Sequence, residues 1–221
     1  MNRATRRRWL ALTKGLAAWS ALSLMAALSG CSATLLPKPP PAAARYTLDG
    51  LAAWPAAPAA QPAEAAPVLL LDPPRAAPGH DSTRMLYQRQ PQQLEAFAFH
   101  EWSEPPARLL APLLQQALQG SGAFRAVLLA PTSGSGGLRL ETELVRLQQD
   151  FGAKPSVVRL TLRAALIDTA TRRVIATQVF DASVPAARED PVAGVAAAQQ
   201  ATQQVLGQLA SACAHWARAL R

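Results

Sequence analysis

The chain has few of the residues from which metal and cofactor sites are built. It contains two cysteines and three histidines among 221 residues. His80, His100 and His215 lack the clustered spacing of a zinc site, and His100-Glu101 is not followed by a second histidine four positions after the first. We therefore expect no metal centre and no cofactor, and chance placement is the favoured interpretation of each histidine.

Motifs for phosphate binding and covalent catalysis are missing as well. Gly134-Ser135-Gly136-Gly137 is rich in glycine but lacks the Lys-Ser/Thr that follows in a P-loop, and the chain has no Gly-x-Ser-x-Gly elbow. Glu101 and Glu104 flank Trp102-Ser103, but an acidic residue beside a helix start is explained by the helix dipole. Because no catalytic constellation is left, the sequence predicts a protein that is not an enzyme.

The excess of basic residues belongs mostly to the N-terminus. The net charge of the whole chain is +8, but five of its 22 basic residues and none of its 14 acidic residues lie in positions 1–30. The remainder has seventeen basic and fourteen acidic residues, a net charge of +3. A charge of this size is typical of a solvated surface, and it gives no reason to expect nucleic acid as a partner.

What the N-terminus does contain is the pattern of a secretory signal peptide. Four arginines between positions 3 and 8 precede an apolar run from Gly15 to Leu28. That run is shorter than the roughly 20 residues that a helix needs to span a bilayer. It ends in Leu28-Ser29-Gly30-Cys31, which resembles the lipobox of bacterial lipoproteins.

The lipobox resemblance implies a lipid anchor at Cys31. Such a site is cleaved between Gly30 and Cys31 after the thiol, whose thiolate is the nucleophile, has taken a diacylglycerol. A processed lipoprotein carries three acyl chains, palmitate among them, which is enough for a stable anchor. Ser32 is not the aspartate that retains enteric lipoproteins in the inner membrane, so we expect the outer membrane, facing the periplasm. The alternatives are an ordinary signal peptide before an unrelated cysteine, or an N-terminal membrane anchor.

Composition divides the chain into three parts. Residues 1–30 are the signal peptide, and residues 31–44 are the lipidated cysteine with a tether rich in proline and alanine, which favours extended polyproline II. Residues 45–221 form one domain, interrupted by an Ala/Pro-rich loop at 52–66. With Cys31 acylated, Cys213 has no disulfide partner, and its place on an apolar helical stripe favours a small buried hydrophobe.

Hydrophobic periodicity predicts several strands and two main helices in this domain. The strands lie near Arg45–Leu48, Val68–Leu71, Arg84–Tyr87, Leu94–Trp102, Phe124–Leu129, Leu138–Leu147, Val157–Asp168 and Val174–Phe180. Within the fourth we expect Phe97 and Phe99 to share a face, and the last two strands predict an antiparallel hairpin. Ser103 is the expected N-cap of the first helix, with Pro105 near its first turn, and Asp190 is the expected N-cap of the second.

Several segments together resemble the ABC-type transport auxiliary lipoprotein family, which includes paraquat-inducible protein C. The resemblance runs from about Tyr46 to the last helix and lies in Arg84-Met85-x-Tyr87, Leu94-Glu95-x-Phe97-Ala98, Trp102, Pro105-Pro106-Ala107-Arg108, Leu110-Ala111-Pro112-Leu113 and Gly122-x-Phe124-Arg125-x-Val127. It implies an α/β (α+β) domain in which a mixed, largely antiparallel sheet carries two main helices.

The resemblance also implies a function. Family members serve ABC transporters whose periplasmic subunits carry mammalian-cell-entry (MCE) domains and which move lipids or other apolar molecules across the envelope. By analogy this chain is a non-enzymatic auxiliary component at the outer membrane, with the MCE subunit and its ABC transporter as partners. A structural or assembly lipoprotein of another envelope machine is the alternative. Ala-rich helix faces permit homo-oligomers without requiring them.

Two further features admit two interpretations each. Trp102 could bind a partner, but core or helix-cap packing is favoured because it follows a buried-strand pattern. Arg159, Arg163, Arg172 and Arg173 could form a basic face for lipid headgroups or an acidic partner, but a solvated strand face is the favoured account.

Overall fold

The computed structural model describes residues 41–49 and 65–220. Its strands are β1 (Ala44–Tyr46), β2 (Val68–Leu71), β3 (Arg75–Ala76), β4 (Arg84–Gln90), β5 (Gln93–Trp102), β6 (Ala126–Leu129), β7 (Leu138–Asp150), β8 (Val157–Asp168) and β9 (Val174–Pro185). Its helices are α1 (Pro106–Gly120) and α2 (Pro191–Arg218). No helix in these two ranges is long and apolar enough to cross a membrane. The predicted signal peptide and most of the tether lie outside the described residues.

The nine described strands form one mixed sheet organised around β7. Along one edge, β7 pairs with β8 over its whole length, and β8 pairs with β9, both antiparallel. Along the other edge, β7 pairs in parallel with three short stretches in succession, β2, β3 and β4. The sheet then branches, because β2 continues to β6 while β4 continues to β5 and β1. This confirms the expected α+β fold with a mixed, largely antiparallel sheet.

Alternation along β7 and β8 produces the two faces of the sheet. Leu138, Leu140, Leu144, Leu160 and Leu162 are buried on the face that both helices cover. The opposite face is polar and ion-paired. A bulge between Leu144 and Arg146 shifts the alternation by one residue, so the buried positions continue at 147 and 149. Both faces were predicted from the alternation, except for this shift.

The short strand β2 is covered on both faces, as its continuous apolar sequence predicts. It lies between β6 and β7. Leu69 and Leu71 are fully buried. On the other face the glycine-rich loop at 131–137 covers Leu70, since a Cβ built on Gly136 would come within 3.0 Å of the Leu70 side chain.

The expected N-cap of α1 was wrong. The N-cap is Pro105, which is extended with φ −51° and ψ 133° and makes no side-chain cap bond, and Pro106 begins the helix. A residue that precedes a proline is driven away from helical geometry, so two consecutive prolines delay the start beyond Ser103. Leu110, Leu113, Leu114, Ala117 and Leu118 form a buried stripe of helical spacing along α1, and the helix continues through Pro112.

The second helix agrees with its sequence pattern at the start. Asp190 caps it by accepting a hydrogen bond from Ala193 N at 2.7 Å, and Pro191 is the first helical residue. Its apolar stripe from Val195 to Cys213 is buried, whereas Leu220, which lies beyond the helix end at Arg218, is half exposed.

Strand β5 also departs from its predicted pattern. Between the pairs Arg84–Glu101 and Leu86–Ala96, five steps of β5 stand opposite two steps of β4. The extra residues break the alternation, so Phe97 packs against the core while Phe99 remains 46% exposed. Phe97 and Phe99, which were expected to share a face, therefore differ in burial.

Candidate functional site

The residues predicted to carry the lipid anchor lie outside the described part of the chain. Gly30 and Cys31 are both outside the described residues, so cleavage between them and lipidation of Cys31 stay predictions. The candidate features within residues 41–49 and 65–220 are therefore a cavity, an aromatic cluster and the charged face of the sheet.

The cavity lies where the irregular strands β4 and β5 meet β7, β8 and the first turns of α2. Its volume is about 20 Å³. Most of its lining is apolar, and the lining consists of Met85, Leu86, Phe97, Trp102, Leu147, Gln148, Gln149, Val158, Gly194 and Ala198. Small-molecule sites usually measure about 300–1,000 Å³. A volume of about 20 Å³ is room for roughly one water molecule, so this cavity encloses neither an acyl chain nor a phospholipid.

One polar side chain, Gln149, is buried at the cavity wall. Its Nε2 donates to Ser156 Oγ at 3.0 Å and to the Asp190 carbonyl at 3.5 Å, while its Oε1 has no hydrogen-bond partner among the described residues. The Asp190 carbonyl can only accept, which fixes the amide with Nε2 on that side. The amide thereby joins β7 to the beginning of α2.

Gly194 is the position on α2 that admits this amide. A Cβ built on Gly194 would overlap Oε1 of Gln149, and the carbonyl carbon Cδ would stand 2.9 Å away. Any larger residue at 194 must displace the amide. Neither Gln149 nor Gly194 was singled out from the sequence. A glycine within an otherwise alanine-rich helix was the one available signal, because it usually has a packing reason.

An aromatic cluster continues from the cavity along β4 and β5. The ring of Phe97 lies 4.4 Å from Tyr87 and 6.2 Å from Phe151, and it meets His100 edge-on at 6.1 Å. His100 Nδ1 is hydrogen-bonded to the Tyr46 hydroxyl at 2.9 Å. These contacts attach β1, the first strand after the predicted tether, to the rest of the sheet.

The remaining candidate residues for chemistry have structural roles. Trp102 is only 4% exposed and belongs to the core, which confirms the favoured interpretation and makes partner binding by this side chain wrong. No group of three metal-ligating side chains occurs within the described ranges. Cys213 is fully buried on α2, and burial raises the pKa of its thiol to about 12, so it is a packed hydrophobe as predicted.

The four arginines of the possible basic face are divided by the structure into two pairs. Arg159 binds Asp150 at 3.0 Å and Arg163 binds Glu143 at 2.7 Å, so these two belong to the ion-paired outer face. Arg172 and Arg173 are exposed at the turn between β8 and β9 and have no acidic partner in the described chain. The solvated-face interpretation is therefore confirmed for the first pair, and a continuous basic face is wrong.

Comparison with known proteins agrees with this architecture. The chain is similar to protein XCC0632 from Xanthomonas campestris, of family DUF330, with 26% identity, a TM-score of 0.64, and 72% of this chain and 91% of that chain covered. An uncharacterized protein shares the fold at 12% identity with a TM-score of 0.60, covering 78% of this chain and 99% of that one. No curated protein matches the sequence.

A family model described as "ABC-type transport auxiliary lipoprotein component" matches residues 46–210. The matched span includes every described strand except the first residues of β1, and all of α2 except its last turns. It also contains each of the segments in which the resemblance was found. The chain belongs to the ABC-type transport auxiliary lipoprotein family.

Proposed function

We propose that this protein is an outer-membrane lipoprotein, anchored through Cys31, that serves an MCE-type ABC transporter as a non-enzymatic auxiliary component. The observation that carries the proposal is the lipobox Leu28–Cys31 ahead of a domain of this family. Residues 1–30 are removed as the signal peptide, residues 31–44 tether the domain, and residues 45–221 form it. Ser32 directs the lipoprotein to the periplasmic face of the outer membrane.

The small size of the cavity favours a domain that docks the MCE subunit over a domain that carries the cargo itself. Since a cavity of about 20 Å³ cannot enclose a lipid with two acyl chains, the domain is expected to hold or receive the MCE subunit while the cargo passes through that subunit. The cargo is a lipid or another apolar molecule, in keeping with the transport systems that the family serves.

The deciding experiment is crosslinking of the full, lipidated protein in its own envelope, followed by pull-down and mass spectrometry. We expect an MCE-domain protein and its ABC permease among the partners. Recovery of outer-membrane assembly factors alone would overturn the transport function and favour an assembly lipoprotein.

The anchor is tested separately with the two cysteines as a matched pair. Cys31→Ala should abolish acylation and release the protein from the membrane fraction, whereas Cys213→Ala should leave both unchanged. Ser32→Asp should move the acylated protein to the inner membrane. Continued acylation of the Cys31→Ala variant would contradict the assignment of the lipid site.

A further inference from the structure

The turn between β8 and β9 is held in one conformation by its own hydrogen bonds. Asp168 N donates to the Arg173 carbonyl at 2.9 Å, and Asp168 Oδ1 accepts from Thr171 N at 2.8 Å. Thr169 donates from its backbone N to the Gly137 carbonyl and from its hydroxyl to Gly136. The hydrogen bond from Thr171 lowers the pKa of Asp168, so this carboxylate stays charged and engaged with the turn.

Arg172 occupies an unusual backbone conformation in that turn. Its φ is +57°, in the left-handed region where glycine or asparagine is the ordinary residue and other side chains are strained. The guanidinium makes no hydrogen bond or ion pair with the described residues that would compensate this strain. A strained residue held by a well-bonded turn is a reason to look for a function of its side chain.

The residues that follow make the turn both basic and apolar. Arg173 is exposed without an acidic partner in the described part of the chain, unlike Arg159 and Arg163 on the same hairpin. Val174 is 61% exposed, more than any other large hydrophobic side chain described. We call Arg172, Arg173 and Val174 the hairpin tip.

We propose that the hairpin tip contacts the surface of a bilayer that contains anionic phospholipid. Two adjacent cations beside an exposed valine match the interface of such a bilayer, where arginines bind phosphate oxygens and the apolar side chain enters the boundary with the acyl chains. An acidic protein surface would also pair with the two charges, and the crosslinking described below distinguishes it from a bilayer. The proposal rests on the proposed function, since the lipid anchor supplies the bilayer.

The chain length between anchor and domain permits this contact. From Cys31 to Ala44 the sequence has thirteen steps, and a chain of that length can reach at most roughly 45 Å. A domain of this size has a radius of gyration of about 16 Å, so any of its faces can be turned to the bilayer. Two arginines bind a bilayer weakly on their own, but attachment at Cys31 makes the contact intramolecular, so it sets the orientation of the anchored domain.

The contact can be measured in the full, acylated chain with one fluorophore. Ala170→Cys places a reactive thiol on the exposed part of the turn, while Cys31 is acylated and Cys213 is buried with a raised pKa. The labelled protein is reconstituted into vesicles of phosphatidylcholine with phosphatidylglycerol, or of phosphatidylcholine alone. Lipids with a quencher at the headgroup then report how close the turn lies to the surface.

We expect strong quenching on the vesicles that contain phosphatidylglycerol and little on phosphatidylcholine. High salt should reduce it, since the attraction is electrostatic. Each arginine removed should lower the bound-to-free ratio about fivefold. Arg172→Gly is the most informative variant, because it should lose quenching and yet unfold a few degrees higher, as glycine removes the left-handed strain.

Two controls separate the tip from general effects. Gln92→Gly relieves the other left-handed non-glycine residue described, φ +68°, and should raise the melting temperature without changing the quenching. Arg108→Ala with Arg125→Ala removes two exposed arginines elsewhere and should leave the quenching intact.

The outcomes distinguish this contact from the proposed function. Flotation with phosphatidylcholine vesicles reports the anchor alone, and its loss would overturn the proposed function and this contact with it. Intact flotation with equal quenching on both kinds of vesicle would overturn the contact alone. Crosslinking of the tip to an acidic envelope protein, without quenching, would replace the bilayer by a protein partner.

Discussion

The two sides of strand β7 are built on different principles. Toward β8 and β9 the pairing is long and antiparallel, with alternating leucines under α2 and ion pairs on the outer face. Toward β4 and β5 the pairing is brief, since only Tyr87 and Gln88 of β4 are aligned with β7. The pairing between β4 and β5 is interrupted by extra residues in β5. We call these the regular side and the irregular side.

The two sides differ in how completely they bury their apolar side chains. On the regular side they fill one continuous core, so Leu160, Leu162 and Leu166 are fully buried. On the irregular side the interrupted pairing leaves the cavity, a half-buried aromatic cluster and the exposed ring of Phe99. We therefore expect the regular side to contribute most of the free energy of unfolding and the irregular side to deform more easily.

The largest effect should come from removing one leucine on each side. Leu162→Ala empties a fully buried site and is expected to cost about 2–5 kcal/mol, because the packed surroundings relax little. Leu86→Ala, at the half-buried wall of the cavity, should cost about 1 kcal/mol. Urea unfolding of the full chain gives both values, and equal costs would remove the distinction between the two sides.

A smaller change tests the junction at Gln149. Gly194→Ala should destabilise the protein by about 1–2 kcal/mol, since displacement of the buried amide outweighs the better helix propensity of alanine. With Gln149→Ala present the overlap is gone, so the same substitution should become stabilising. Gly137→Ala, where a Cβ meets nothing within 4 Å, is the control and should change little. Destabilisation by Gly194→Ala in both backgrounds would show that Gln149 is not the obstacle.

The regular side could be predicted from the sequence to a larger extent than the irregular side. Alternation in β7 and β8 is a local property of the sequence, so their buried faces and the hairpin to β9 could be predicted, as could the start of α2 at Asp190. The family motifs, from Arg84-Met85-x-Tyr87 to Gly122-x-Phe124, likewise led to the correct family and fold.

The irregular side could not be predicted because its features arise from contacts between distant residues. Gln149 and Gly194 are 45 positions apart and meet only when α2 lies across the end of β7. The register change in β5 depends on how β4 pairs, and no residue pattern in Gln93–Trp102 announces it. At the first helix, a good capping residue at 103 was misleading because the prolines at 105 and 106 determine the start.

The smallest expected effect compares the two helix starts. Asp190 accepts from Ala193 N and is bound by Arg188 at 2.7 Å, and these contacts, the first above all, lower the pKa of its carboxyl. Asp190→Ala should therefore lower the melting temperature by a few degrees at neutral pH, whereas Ser103→Ala should have no effect, since Ser103 caps nothing.

The acid titration of the same pair gives the sign of the charge effect. Because the pKa of Asp190 is lower in the folded state, its contribution is present above the unfolded pKa near 4 and is lost as pH falls through the folded pKa. The gap in melting temperature between wild type and Asp190→Asn should thus narrow as pH falls below about 4. Asparagine keeps the capping oxygen but has no charge. A difference in melting temperature that stays constant with pH would therefore show that the charge of Asp190 contributes nothing and that the cap acts through its hydrogen bond alone. No such pH-dependent gap is expected between wild type and Ser103→Ala.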